Sequence, residues 1–99
     1  MKKHKIVWTP QARSDLVQIR KYIKQDAPRT AHAFTKRLRE HVRGLVNFPL
    51  AGALVLEAPS RNLREIYFGN YRIIYKVATP IVEIITIHHS ARLLRSSDF

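Results

Sequence analysis

Ninety-nine residues, 45% of them hydrophobic and 25% charged, fit one globular domain over residues 1–99 with a modest core. The absence of cysteine excludes a disulfide framework and a thiolate metal site, and histidines scattered over positions 4, 32, 41, 88 and 89 offer no converging ligand set, so no metal or cofactor is expected. A net charge of +11 with a pI near 10.8 calls for an anionic partner, either nucleic acid or an acidic protein.

The start, Met1-Lys2-Lys3-His4-Lys5, is basic like that of a secretion signal, but Ile6-Val7-Trp8 is far too short for a signal's apolar core. No apolar stretch approaches the roughly 18 residues of a membrane span, and the expected location is the cytoplasm. Lys5-Ile6-Val7-Trp8 reads as a short strand, rich in β-branched and aromatic residues. Thr9-Pro10 then starts a helix, with Thr9 as N-cap and Pro10 at the first position, where its missing N–H costs nothing.

Ala12, Leu16, Ile19 and Ile23 recur at helical spacing, and Gln25-Asp26-Ala27-Pro28 breaks that helix and begins another. Ala31, Phe34, Leu38, Val42 and Leu45 form the second helix's apolar stripe, which should end near Asn47-Phe48-Pro49. So short a link makes the two helices an antiparallel hairpin. On the second helix Arg29, His32, Lys36, Arg39 and Arg43 are spaced three, four, three and four apart and form a basic face. It is either an ordinary solvated face or an electrostatic footprint for an acidic partner. Residues 1–49 carry 12 Lys/Arg against 3 Asp/Glu, and residues 50–99 only 6 against 4, so the excess charge sits on the helical half.

Residues 50–61 read as a loop with a short strand at Leu54-Val55-Leu56. Strands follow at roughly 63–68, 71–77 and 82–88, with Gly69-Asn70 as a two-residue hairpin turn. The expected fold is therefore α+β: an N-terminal strand, an antiparallel helical hairpin, then an antiparallel meander with the helices packed on one sheet face.

Directly opposed residues share a face, so the turn sets the parity. One face holds Ile66, Phe68, Tyr71, Ile73, Tyr75, Val77, Val82 and Ile84 and is expected under the helices, with His88 on that side in a structural role. The other holds Glu65, Tyr67, Arg72, Ile74, Lys76, Glu83, Ile85, Ile87 and His89, with Arg72 opposite Ile87 and Ile74 opposite Ile85. Charges interleaved with isoleucines suggest a binding surface. Arg72 is either paired with Glu65 across the hairpin or a clamp for phosphate or carboxylate, with Tyr67 for stacking and His89 as a proton carrier.

The chain resembles the RelE/ParE superfamily of toxins from bacterial type II toxin–antitoxin modules. The residues that carry the resemblance run from Val7-Trp8, Ala12-x-x-Asp15-Leu16-x-x-Ile19-x-x-Tyr22-Ile23 and Phe48-Pro49-x-x-Gly52 through Leu63-Arg64-Glu65-Ile66 and Tyr71-Arg72-Ile73-Ile74-Tyr75 to Ile87-His88-x-x-Ala91-Arg92. The resemblance implies the fold just derived and a cognate acidic antitoxin that folds as it binds, docking on Tyr67, Arg72, Ile74, Lys76, Ile85 and Ile87. RelE-like members cut mRNA on the ribosome, and a ribonuclease reading would use Arg72, His89 and Arg92. Such members carry a lysine pair on the strand that here reads Arg64-Glu65-Ile66, and a late tyrosine absent from Ser96-Ser97-Asp98-Phe99. ParE-like members, which poison DNA gyrase and lack that catalytic set, are the closer match. No zinc spacing, Gly-rich phosphate loop or RNA-binding sheet signature supports a generic nucleic-acid module.

Overall fold

The computed structural model describes residues 3–92 and Arg95. The basic start at Met1-Lys2 and the tyrosine-free Ser96-Ser97-Asp98-Phe99 lie outside the described residues. Strand β1 (Lys5–Trp8) leads into helices α1 (Pro10–Lys24) and α2 (Pro28–Arg43), and α2 tightens into a 3₁₀ turn over Gly44–Val46. A two-residue strand β2 (Ala53–Leu54) precedes β3 (Arg64–Phe68), β4 (Tyr71–Ala78) and β5 (Ile81–His89). The sheet order is β1-β5-β4-β3-β2, antiparallel except that β1 runs parallel to β5, so the sheet is mixed and β1 closes one edge.

Local chemistry explains the starts and turns. Thr9 Oγ1 accepts from Ala12 N–H at 3.1 Å, capping α1, and donates to the carbonyls of Ile84 and Ile85 at 2.7 and 2.9 Å, fastening the cap to β5. At the β3–β4 turn Gly69 takes φ +57°, which glycine adopts without penalty. Between β4 and β5 the loop is only Thr79-Pro80, joined by a cis peptide, with Ala78 opposite Ile81.

The helices lie on one sheet face. Leu16 and Ile19 of α1 and Leu38 and Val42 of α2 pack on Ile73, Tyr75, Val82 and Ile84, with Ile66, Phe68, Tyr71 and Val77 at the margin. This is the helix-side set read from parity, and each large aliphatic member contributes about 1.5–3 kcal/mol by burial.

Two features depart from the sequence reading. First, β5 carries a bulge: Tyr75 faces Ile84, the next pair is Ile74 with Thr86, and Ile85 is the extra residue. One inserted residue reverses the parity beyond it. Ile73 therefore faces Ile87, Arg72 faces His88, and Tyr71 faces His89. Ile87 joins the helix-side core, His89 sits edge-on to Tyr71 with ring centroids 5.2 Å apart, and His88 moves to the far face, the reverse of the expected placements. Asp15 of α1 holds the bulged segment, accepting from Thr86 Oγ1 at 2.5 Å and from Ile87 N–H at 3.0 Å.

Second, the far face is covered. Residues 50–63 form a strap across it, where Val55, Ala58 and Leu63 build a second small core with Ile74 and the partly buried Ile85. The strap is anchored at its base: the buried Tyr75 hydroxyl donates to Pro49 C=O and accepts from Gly52 N–H, both at 2.8 Å. A Cβ on Gly52 would lie 2.6 Å from Glu65 O and 2.7 Å from Tyr75 Oη, so only glycine fits. Arg64 adds a bond from Nη1 to Gly52 C=O at 2.7 Å.

Candidate functional site

Arg72 lies on the far face at the centre of the sheet and is only 8% exposed. A guanidinium so placed must be paired, because desolvating an unpaired charge costs several kcal/mol or more. Two carboxylates meet it. Glu57, from the strap, takes its fork: Nη1 donates to Oε2 at 2.8 Å and Nη2 to Oε1 at 3.0 Å. Glu65, beside it on β3 and 9% exposed, accepts from Nε at 2.9 Å and also closely from Nη2. Tyr67 Oη donates to the other Glu65 oxygen at 3.1 Å.

The electrostatics follow from this geometry. Hydrogen bonding to Arg72 holds the Glu57 carboxyl below its ordinary range, against some desolvation. The Arg72 guanidinium grips its proton more tightly than usual, chiefly through Glu57. Burial pushes the Tyr67 phenol up, and its bond to Glu65 adds to the shift. With two carboxylates on one cation the cluster is net anionic, a poor seat for a phosphate.

The residues singled out from the sequence scatter. Arg72, Ile74 and Ile87 are buried, the last on the helix side, so none of the three is displayed as a docking surface in this conformation. Tyr67 and Lys76 remain exposed and Ile85 is half-buried. Arg72 and His89 fall on opposite sides of the sheet, because the bulge sends His89 to Tyr71. His89 and the exposed Arg92 share a cleft of about 360 Å³ with Tyr22 and Tyr71, from which Arg72 is absent. His88, opposite Arg72, has a buried Nε2 with no hydrogen-bond partner among the described residues, where a satisfied structural role was expected. Arg29, His32, Lys36, Arg39 and Arg43 are all exposed along α2.

Sequence reasoning missed Glu57 and the structural role of Asp15. Glu57 is the one acid in the segment 50–61, which was a weak signal that this segment answers a cation elsewhere. No helix of the described residues is long and apolar enough to cross a membrane.

Residues 6–94 match a family model described as the ParE toxin of the type II toxin–antitoxin system, parDE. Toxin RelE2 of Caulobacter vibrioides is 38% identical over 89 residues, which is 89% of this chain and 97% of that protein. Among solved structures, the fold is similar to a chain of the chromosomal ParDE system from P. aeruginosa, with TM-score 0.75 and 18% identity over 90% of this chain and 98% of that one. It is also similar to a chain of the RelBE2 toxin–antitoxin complex from Mycobacterium tuberculosis, with TM-score 0.62 and 21% identity over 88% and 98%.

Proposed function

The chain belongs to the ParE toxin family of type II toxin–antitoxin systems, within the RelE/ParE superfamily, and on that premise we propose that it is a DNA gyrase poison kept silent by a cognate acidic antitoxin. The observation that carries this reading is the state of Arg72. A ribosome-dependent nuclease of this superfamily would need that arginine free to hold a scissile phosphate, and here both edges of the guanidinium are taken by Glu57 and Glu65. Its nominal catalytic companion His89 lies across the sheet. A toxin that acts by holding a protein asks nothing of Arg72 beyond folding.

The antitoxin, in this reading, docks on the strap side as the strap presents it. Leu56 is 85% exposed, Tyr67 55% and Leu54 52%, with Lys76 available to an acidic side chain. Beyond its two pairs with β2, at Arg64 and Glu65, the outer edge of β3 carries no further strand among the described residues. An antitoxin segment can add a strand there. The +11 charge speeds the encounter with an acidic partner and makes it salt-sensitive.

Messenger RNA cleavage on the ribosome is the rival reading, favoured by the name of the Caulobacter relative and by a polar cleft shared by His88 and Arg92. Purified toxin is added to a gyrase supercoiling reaction and, separately, to translating ribosomes with a labelled mRNA. Loss of supercoiling with intact message is the expected outcome. Codon-phased cuts in the message would overturn the gyrase reading.

A further inference from the structure

The helical hairpin carries a feature that the toxin reading does not use. Its outer groove, with a volume of about 320 Å³, is lined by Arg13 and Arg20 of α1 and Arg39 of α2, with Trp8, Val17 and Thr35. A second depression continues from Arg20 to Lys24 and His32. Arg20 lines both, so the two depressions adjoin along the hairpin. No carboxylate lines either part. Among the described residues, Arg13, Arg20, Lys24 and Arg39 make no ion pair, whereas Arg72 makes two.

Unpaired cations crowded on two adjacent helices repel one another, a cost that an anionic partner relieves. The dimensions indicate which partner. The lining positions, 13 to 24 on α1 and 28 to 39 on α2, each span about 16 Å at the rise of an α-helix. A DNA strand presents a phosphate every 3.4 Å along its axis, so about five phosphates fit alongside. An acidic amphipathic helix would instead need a row of apolar anchors at helical spacing. The groove offers one well-exposed apolar side chain, Val17 at 48%, because Leu16 is buried. We propose that the groove between α1 and α2 is a docking site for the phosphate backbone of duplex DNA, read by charge and not by sequence. The site stands apart from the strap and holds whether or not gyrase is the target.

Fluorescence anisotropy of the full chain with a labelled 20-base-pair duplex of mixed sequence, from about 50 to 200 mM salt, tests this. With Arg13, Arg20, Lys24 and Arg39 each neutralising one phosphate, log K should fall with log salt at a slope of about −3.6. The triple variant Arg13→Gln, Arg20→Gln, Arg39→Gln should flatten that slope by about 2.7 and weaken binding at least tenfold at 100 mM. Lys3→Gln, Lys5→Gln, Lys76→Gln removes the same charge from exposed positions off the hairpin and should change the slope by less than about 1. Equal losses in the two triples would reduce the effect to net charge and overturn the proposal, as would unchanged binding in the groove triple. Should the groove triple fail to fold by circular dichroism, Arg20→Glu alone decides between the same outcomes: at least a tenfold loss supports the site, and wild-type binding overturns it. No gyrase is present, so failure here leaves the supercoiling test untouched.

Discussion

Replacing Arg72 with methionine removes the one cation from a cluster that holds two carboxylates against the sheet. The two acids do not suffer alike. The Glu57 side chain is 37% exposed and swings into water, while that of Glu65 is 10% exposed and stays behind without its strongest partner. Breaking a buried pair from one side costs about 3–5 kcal/mol. With Glu57 able to rehydrate, the lower end, about 3 kcal/mol, is expected. For a chain of this size that lowers Tm by about 12–24 °C. Urea unfolding at pH 7, followed by circular dichroism, measures it, with the midpoint falling and the m-value unchanged. Adding Glu65→Gln to the methionine variant removes the stranded charge and should recover part of the loss. A methionine variant within about 0.5 kcal/mol of the parent would refute the claim that this cluster holds the strap down.

The other predictions concern the same strap. Because Glu57 has its carboxyl pKa lowered by Arg72, the folded state binds fewer protons than the unfolded state below the ordinary value of 4.5. That stabilisation is full above pH 4.5 and is lost as pH falls through the depressed pKa, and in an acid titration of the unfolding midpoint Glu57→Gln should flatten this limb. Tyr75→Phe leaves the buried Gly52 N–H and Pro49 C=O without their partner and should cost about 1–3 kcal/mol in urea, with Gly52→Ala at least as damaging because its Cβ meets backbone. Leu56→Asp, at a site 85% exposed, should leave stability within about 0.5 kcal/mol and weaken antitoxin binding at least tenfold by calorimetry. Unchanged affinity would remove the strap from the docking surface.

Much of the fold was legible because its signals are local. Thr9-Pro10, the 3.6-residue stripes of both helices and the Gly69-Asn70 turn each act over a few residues, and each appears where the pattern put it. The bulge was not legible for the opposite reason. In Ile84-Ile85-Thr86-Ile87 apolar residues satisfy either parity, so alternation cannot choose between them. What holds the bulge is Asp15, 71 residues before Thr86, which accepts from that hydroxyl and from the next N–H. Gly52 and Pro59-Ser60 punctuate the strap as a loop, and the residues it buries, Val55, Ala58 and Leu63, are too irregularly spaced to show a period. Pairing of Arg72 with Glu65 was open to register reasoning. Its pairing with Glu57 was not, since it depends on the strap folding back.

The proposed function has Arg72 committed to the fold and the toxin acting by holding a protein. Titrating purified toxin into DNA gyrase, relaxed plasmid and ATP tests that mode of action most directly. Supercoiling should be lost with linear plasmid accumulating, and added antitoxin should restore the supercoiled product. Full supercoiling at saturating toxin would contradict it.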